Sequence, residues 1–463
     1  MWSKTVFLIL LLALASPAWA QKSQPEKSEP ELPVDKRYGN MPDEAVPFRN
    51  FSKAYYEWFI QDNTLEYNGA ARDREDGDVE HLKEVAIGFL GPLENNPESV
   101  YGIPMLHGAQ LAIEEANARG GYYGKPYVLK LHNDSALWGA SSGELVKMLL
   151  DENCWVMLGS IDGQSTHIAL RVTLKLELPI VSPGTTDPTV TETRIQWLLH
   201  SFIDDRQQCY AVADHVFKDL KLKRVAVIRT QARYARIGVQ KFNDQARRMG
   251  HQVIMELKFD RGDKDFSRQV RMLKDASLDG VVIWGESPEA GLILKQMRAA
   301  GLDIPAFAGS RVCYKETLDI AGPAAEGLVC TTPLDPTRAD PAWVSFRERY
   351  RRRFGEEPID YAAYAYDAMN IIMGAIEKAG LNRGRIMDAL REYRLKEYRG
   401  ASGVALFDNS LNNVGQLTFA RVKNGKFEYW PAPPRQVTLS ADEVARKNQS
   451  AIPTAAGASG DSK

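Results

Sequence analysis

Apolar and polar positions along this chain switch repeatedly between two periods. Short apolar runs of strand length at 84–90, 127–132, 155–158 and 178–181 alternate with stretches whose apolar residues fall at helical spacing. The stretch 101–119 is one such helix, with Leu106, Ala109, Ala112, Ile113 and Ala116 on one face and Gly120-Gly121 as its stop. Others are expected over 142–150 and 167–174. From residue 202 the rhythm restarts, with strands at 224–228, 253–257, 280–284 and 306–308 between helices over 206–220, 238–249, 266–274 and 289–299. Helices over 342–354, 361–379 and 383–392 follow. The runs 403–407, 415–421 and 426–430, with the turn Asn424-Gly425, then predict a strand meander. Strand after helix without a break predicts an α/β fold of two doubly wound parallel-sheet lobes with right-handed crossovers. The cleft between two such lobes is the natural place for a ligand.

The stretch 154–190 concentrates the candidate chemistry. It reads as strand, Gly-Ser turn, helix, second strand, and the polar turn Ser182-Pro183-Gly184-Thr185-Thr186-Asp187-Pro188. Ligands bind at the carboxyl ends of parallel strands, and two such turns offer backbone N–H groups and hydroxyls to an anion. The same residues also serve to cap the helix that follows. Both roles are compatible, because a capped helix start is itself an anion site.

The length of 463 residues calls for more than one compact core, in keeping with two lobes plus extensions. Apolar content of 44% and charged content of 25% are ordinary for a soluble protein, and a net charge of −2 argues against nucleic acid or a polybasic membrane contact. Met1-Trp2-Ser3-Lys4, the apolar run 5–15 and Ala18-Trp19-Ala20 fit a secretory signal (1–20) cleaved after Ala20. The protein is therefore expected in the periplasm. Residues 21–33 are a polar linker, 34–83 an aromatic-rich N-terminal extension expected to pack on a lobe, and 431–463 a tail too rich in Pro, Ala, Ser and Gly to build a core.

The four cysteines, Cys154, Cys209, Cys313 and Cys330, match no zinc spacing. In an oxidising compartment a Cys313–Cys330 disulfide is the expectation, with a buried thiol at Cys154. The seven histidines are scattered, no phosphate loop is present, and no metal or cofactor is expected. Gly139-Ala140-Ser141-Ser142-Gly143 matches the nucleophile-elbow pattern of serine hydrolases. Residues 133–138 separate that serine from its strand, whereas an elbow needs it directly after one. A binding protein and not an enzyme is the expectation.

Several segments, in order, resemble the branched-chain amino-acid binding family that serves ABC importers: VAIGFLGPL, HGAQLAIEEANARGGYYGKPYVLKLHND, VMLGSIDGQST, ELPIVSPGTTDP, RVAVIRTQARYARIG, FDRGDKDFSRQVRMLK, VVIWGESPEAGLILKQMRAAGL, AEGLVCTTP and YAAYAYDAM. The resemblance spans about residues 85–430 and leaves out the aromatic-rich extension. It implies the type I periplasmic-binding-protein fold, two doubly wound lobes joined by a three-crossover hinge near Ser201, Pro333 and Gly400. Lobe 1 would be 84–201 with 334–400, and lobe 2 would be 202–333 with 401–430. The implied partners are a small-molecule ligand and the membrane permease of an ABC transporter, with the chain a monomer. A ligand sensor presenting its solute to a signalling receptor is the alternative for the same fold.

The resemblance also implies site residues. The ligand carboxylate would be held by Ser160, Asp162, Gly163 and Gln164 and by Gly184, Thr185 and Thr186. Tyr101, Tyr234 and Tyr361 would be cleft aromatics, although a lone tyrosine is often simply packed. Gly163 stands where the family has a serine, Glu286 where it has a second aromatic, and Arg311 where it has the glutamate that accepts the ligand's ammonium. The reversed sign at Arg311 points to a carboxylate-bearing ligand other than an ordinary aliphatic amino acid, unless Glu286 or Asp162 supplies the missing acid. A plain Arg311–Glu286 surface pair is the competing expectation.

Overall fold

The computed structural model describes residues 81–134, 138–193 and 195–433. The signal peptide, the linker, nearly all of the aromatic-rich extension and nearly all of the tail lie outside the described residues. Lobe 1 opens with β1 (Val85–Gly91), buried along its whole length because helices cover both sheet faces. In chain order there follow α1 (Ser99–Ala118), β2 (Tyr127–Asn133), α2 (Trp138–Leu150), β3 (Met157–Gly159), α3 (Gly163–Leu176), β4 (Ile180–Ser182), the short α4 (Thr189–Glu192) and β5 (Leu198–His200). The five strands form a wholly parallel sheet in the order β2-β1-β3-β4-β5.

The chain then enters lobe 2: α5 (Asp205–Asp214), β6 (Val225–Thr230), α6 (Arg233–Arg248), β7 (Met255–Phe259), α7 (Ser267–Asp275), β8 (Gly280–Trp284), α8 (Ser287–Ala299), β9 (Ala306–Ala308), a 3-10 turn (Ser310–Val312), α9 (Lys315–Ala321) and β10 (Val329–Thr332). After β10 it returns to lobe 1 for α10 (Pro341–Phe354), α11 (Asp360–Ala379) and α12 (Arg383–Arg391). Helix α11 packs along α1. The approach is close because Gly108 of α1 has no side chain; a Cβ there would sit 2.0 Å from the Ala362 carbonyl oxygen.

The last strands are β11 (Tyr398–Gly400), β12 (Gly403–Ala405), β13 (Thr418–Lys423) and β14 (Lys426–Pro431). Only β13 and β14 join the second sheet, whose order is β14-β13-β10-β9-β8-β6-β7, with β13 antiparallel to both of its neighbours, β10 and β14. The meander is thus shorter than the sequence pattern suggests, since β12 pairs with β11 instead of β13. The segment between β12 and β13 is held elsewhere: Asn413 donates to the Ser201 carbonyl at 2.7 Å and Asn412 to Asp204 at 2.9 Å. Those bonds tie it to the first passage between the lobes.

All four cysteines are buried free thiols, so the expected Cys313–Cys330 bridge is not formed. The two are nonetheless neighbours. Burial first, and then the Cys330 side chain, push the Cys313 thiol well above its ordinary range. Among the described residues no helix is long and apolar enough to cross a membrane.

Candidate functional site

The carboxyl ends of the strands in both lobes face one cleft, and the candidate side chains sit on the turns that follow those strands, except for those at the start of α11, which follows a helix. In lobe 1, Glu98 occupies the N-cap position of α1 but makes no capping bond with its side chain. Tyr101 lies in the first turn of α1, and Asp360 and Tyr361 open α11. In lobe 2, Tyr234 is in the first turn of α6, Glu286 is the N-cap residue of α8, and Arg311 is the middle residue of the 3-10 turn after β9. Glu286, like Glu98, leaves its helix uncapped by its side chain.

These groups converge on Arg311, which is only 4% exposed. Its guanidinium carbon lies 4.1 Å from the Tyr234 ring centre and 5.1 Å from that of Tyr101, so the cation sits between two aromatic rings. Tyr101 stacks on Tyr361 at 4.9 Å, and Tyr361 on Phe202 at 4.9 Å. Nη1 of Arg311 donates to Glu98 Oε1 at 2.8 Å and lies 3.6 Å from Glu286 Oε1. Arg261 completes the cluster, 3.2 Å from Glu98 and hydrogen-bonded to Glu286. Two guanidiniums and two carboxylates therefore balance in one cluster, with Arg311, Glu98 and Glu286 buried and Arg261 at its rim.

The electrostatics follow from that balance. Burial alone raises the Glu98 carboxyl, but Arg311 and then Arg261 outweigh it and hold the group below its ordinary value. Burial drives the Asp205 carboxyl well upward even though Thr186 donates to it at 2.7 Å. Asp360 is pushed up to about 6 by burial, with the Tyr314 hydroxyl pulling the other way. A small cavity remains beside Arg311, bounded by Asp205, Tyr234, Trp284, Gly285, Gly309 and Ser310. Within the cluster around Arg311, four buried polar atoms have no hydrogen-bond partner: Arg311 Nε, Glu286 Oε2 and the hydroxyls of Tyr234 and Tyr361.

Of the residues expected from sequence, Tyr101, Tyr234, Glu286, Arg311 and Tyr361 are brought together. Thr186 is tied to the cavity through Asp205, whose backbone N–H also donates to the Thr186 carbonyl at 2.7 Å. Gly184 packs beside Ile161 and Met105, and the Thr185 carbonyl accepts from His200 at 2.7 Å. The first turn is committed elsewhere. Ser160 gives its hydroxyl to Asp134 at 2.5 Å, Asp162 caps α3 through the Ser165 N–H at 2.9 Å, Gly163 abuts Asp187, and Gln164 is exposed. Arg311 and Glu286 do meet, but buried in the cleft and together with Glu98, and not as a surface pair. Glu98, Asp205, Arg261 and Asp360 were missed. Their one common signal is an acid or base within a few residues of a helix start or strand end, which is too frequent in any sequence to single them out.

The elbow-like serine is excluded from that role by its place in the fold. Ser141 is inside α2 and donates to the buried Asp134 at 3.2 Å.

Two parallel-sheet lobes with aromatic and charged groups on the turns between them define a two-lobed binding protein for a small polar molecule. The sequence profile of the periplasmic binding protein family matches residues 84–426, and the chain belongs to that family. A Leu/Ile/Val-binding protein homolog from Brucella suis is 30% identical over 300 residues, covering 65% of this chain and 80% of the relative. The branched-chain amino acid transporter substrate binding protein LivJ from Streptococcus pneumoniae, solved with isoleucine, is 26% identical with a TM-score of 0.68, over 76% of this chain and 100% of its own. The leucine binding protein LivK from Thermotoga maritima is 27% identical with a TM-score of 0.67, over 75% and 97%. The chain is accordingly a substrate-binding protein of the kind that serves ABC transporters.

Proposed function

We propose that the protein binds a small, carboxylate-bearing, amino-acid-like solute in the periplasm and hands it to the permease of an ABC importer. The observation that carries this reading is the set of four unpartnered polar atoms on Arg311, Glu286, Tyr234 and Tyr361. Buried polar groups without partners are costly, by about 1–3 kcal/mol each. A solute that presents a carboxylate to Arg311 and an ammonium or amide N–H to Glu286 satisfies both. An acid with no donor leaves Glu286 Oε2 unmet. Glu286 thus supplies the acid that Arg311 displaced, and the amino acids named for the relatives above support a ligand of this chemistry.

In this reading the turn of Gly184, Thr185 and Thr186 offers its backbone to the carboxylate. The lobes close by bending near Ser201, Pro333 and Gly400, and the closed form is what the permease reads. A thermal-shift screen of amino acids, amides and small organic acids tests the assignment, since a ligand at a hundred times its Kd adds about 2.7 kcal/mol. Zwitterionic or amide-bearing carboxylates should raise the melting temperature most. A best ligand with no carboxylate would overturn the reading.

A further inference from the structure

The ion pairs that span the cleft have a consistent sign. Glu98 of lobe 1 meets Arg311 and Arg261 of lobe 2 at 2.8 and 3.2 Å. Asp187, after β4, meets Arg233 of α6 at 2.8 Å. Glu192, ending α4, lies 3.3 Å from Lys241 of α6 and 3.4 Å from Arg206 of α5. Asp360 of α11 accepts from the Tyr314 hydroxyl at 2.7 Å. In each ion pair the acid is on lobe 1 and the cation is on lobe 2, whereas the neutral hydroxyls run both ways, since Thr186 of lobe 1 donates to Asp205 of lobe 2 at 2.7 Å. Among the described residues, no ion pair given for the cleft runs the other way.

Random surface pairing would mix the two senses. A one-sided arrangement makes the faces attract before they touch, and at about 0.15 M salt that attraction reaches over roughly 8 Å.

We infer that the two cleft faces form an electrostatic latch that closes the lobes without any solute. Glu98 then acts as an internal occupant of Arg311. On the solute-binding reading above, an incoming carboxylate has to displace it. The latch itself does not depend on that reading.

The test uses the full chain, stripped of solute by unfolding and refolding on a column, with no ligand added. Small-angle scattering should give a compact particle at about 20 mM NaCl and a larger radius of gyration at about 1 M, where the Debye length falls to roughly 3 Å. Arg233→Glu combined with Arg261→Glu places like charges across the cleft at two side chains that are 31% and 33% exposed. That variant, checked for native circular dichroism, should be expanded even at low salt, whereas the charge-keeping pair Arg233→Lys and Arg261→Lys should stay compact. A stripped parent that is already expanded at low salt would overturn the latch. So would a radius indifferent to salt, or a folded charge-reversed variant as compact as the parent. A latch lost while thermal shifts persist would leave the solute-binding reading standing, and the converse result would separate the two the other way.

Discussion

The two faces of the cleft are built by different means. Lobe 1 meets it with short turns shaped largely by nearby residues: Asp162 caps α3 through the Ser165 N–H, and Asp187 accepts from the Thr189 N–H, while Thr186 and the second Asp187 oxygen reach Asp205 and Arg233 of lobe 2. Lobe 2 meets it with long side chains whose partners come from far away; Arg311 and Glu98 are 213 residues apart, Arg261 and Glu98 163. The first face is a rigid mould of backbone and hydroxyls. The second carries the cations that the lobe 1 acids meet, so specificity and closure should depend more steeply on lobe 2 than on lobe 1.

The largest test of that contrast is Arg311→Ala. It removes the cation between two rings and leaves Glu98 and Glu286 facing each other with only Arg261 to balance them. Affinity for the solute found by thermal shift should fall by about 2–5 kcal/mol, the usual cost of truncating one member of a buried charged pair. Calorimetry showing unchanged affinity would reduce Arg311 to a structural cation. Glu286→Gln separates the charge roles further, because a zwitterionic solute should lose affinity while a purely anionic one should not.

Next in size is a pH effect from lobe 1. Burial lifts the Asp360 carboxyl from 3.8 to about 6, a difference worth about 3 kcal/mol. The folded chain therefore holds this proton more tightly than the unfolded chain. Its contribution to stability is complete below pH 3.8 and is lost as the pH rises through about 6. Asp360→Asn keeps the oxygen that accepts from Tyr314 and removes the titration. Relative to the parent, the variant should gain about 3 kcal/mol between pH 4 and pH 7 in denaturant melts. Parallel curves would show that Asp360 stays charged in the fold.

The contrast between the faces also explains what could be read before the structure. Periodicity alone indicated the two parallel sheets, because β1, β6 and β8 are buried runs with no competing pattern. Tyr101, Tyr234, Tyr361, Glu286 and Arg311 were found only because they stand at family positions, Tyr361 at a helix start and the others on turns that follow strands. The sign change at Arg311 was visible, but the partner that offsets it was not. Glu98, a residue in an unremarkable Asn-Pro-Glu turn, neutralises the cation from the other lobe, and no local rule links the two. The Cys313–Cys330 expectation failed in a related way: spacing located neighbours correctly but does not decide bond formation. The pairing of β12 was lost to asparagines whose partners lie at the first interlobe passage.

A smaller effect tests the fit of the lobe 1 turn. An added Cβ at Gly163 would lie 2.5 Å from Asp187 Oδ2 and 2.7 Å from Asp187 Cβ. Gly163→Ala should cost about 1–3 kcal/mol from overpacking, partly offset by about 1 kcal/mol of helix propensity. A urea melt reads the net loss. A variant as stable as the parent would mean that the Asp187 turn yields easily, and the mould would be softer than its hydrogen bonds imply.

The smallest expected effect decides whether the first turn belongs to the site or only to the fold. Asp162 accepts from the Ser165 N–H as the cap of α3, and burial raises its carboxyl above the ordinary value, so its charge brings the fold little. Asp162→Ala removes the cap and should cost about 1 kcal/mol of stability, whereas Asp162→Asn keeps an equally good cap and should cost almost nothing. Neither change should alter solute affinity beyond its effect on folding, because Glu286, with Oε2 unpartnered beside Arg311, already provides an acid for the solute. If calorimetry showed the Asn variant folding like the parent but binding a zwitterionic solute at least tenfold more weakly, Asp162 would be the ammonium acceptor. The charge that selects the solute would then sit on the rigid face of lobe 1, and the division of labour between the lobes would have to be reversed.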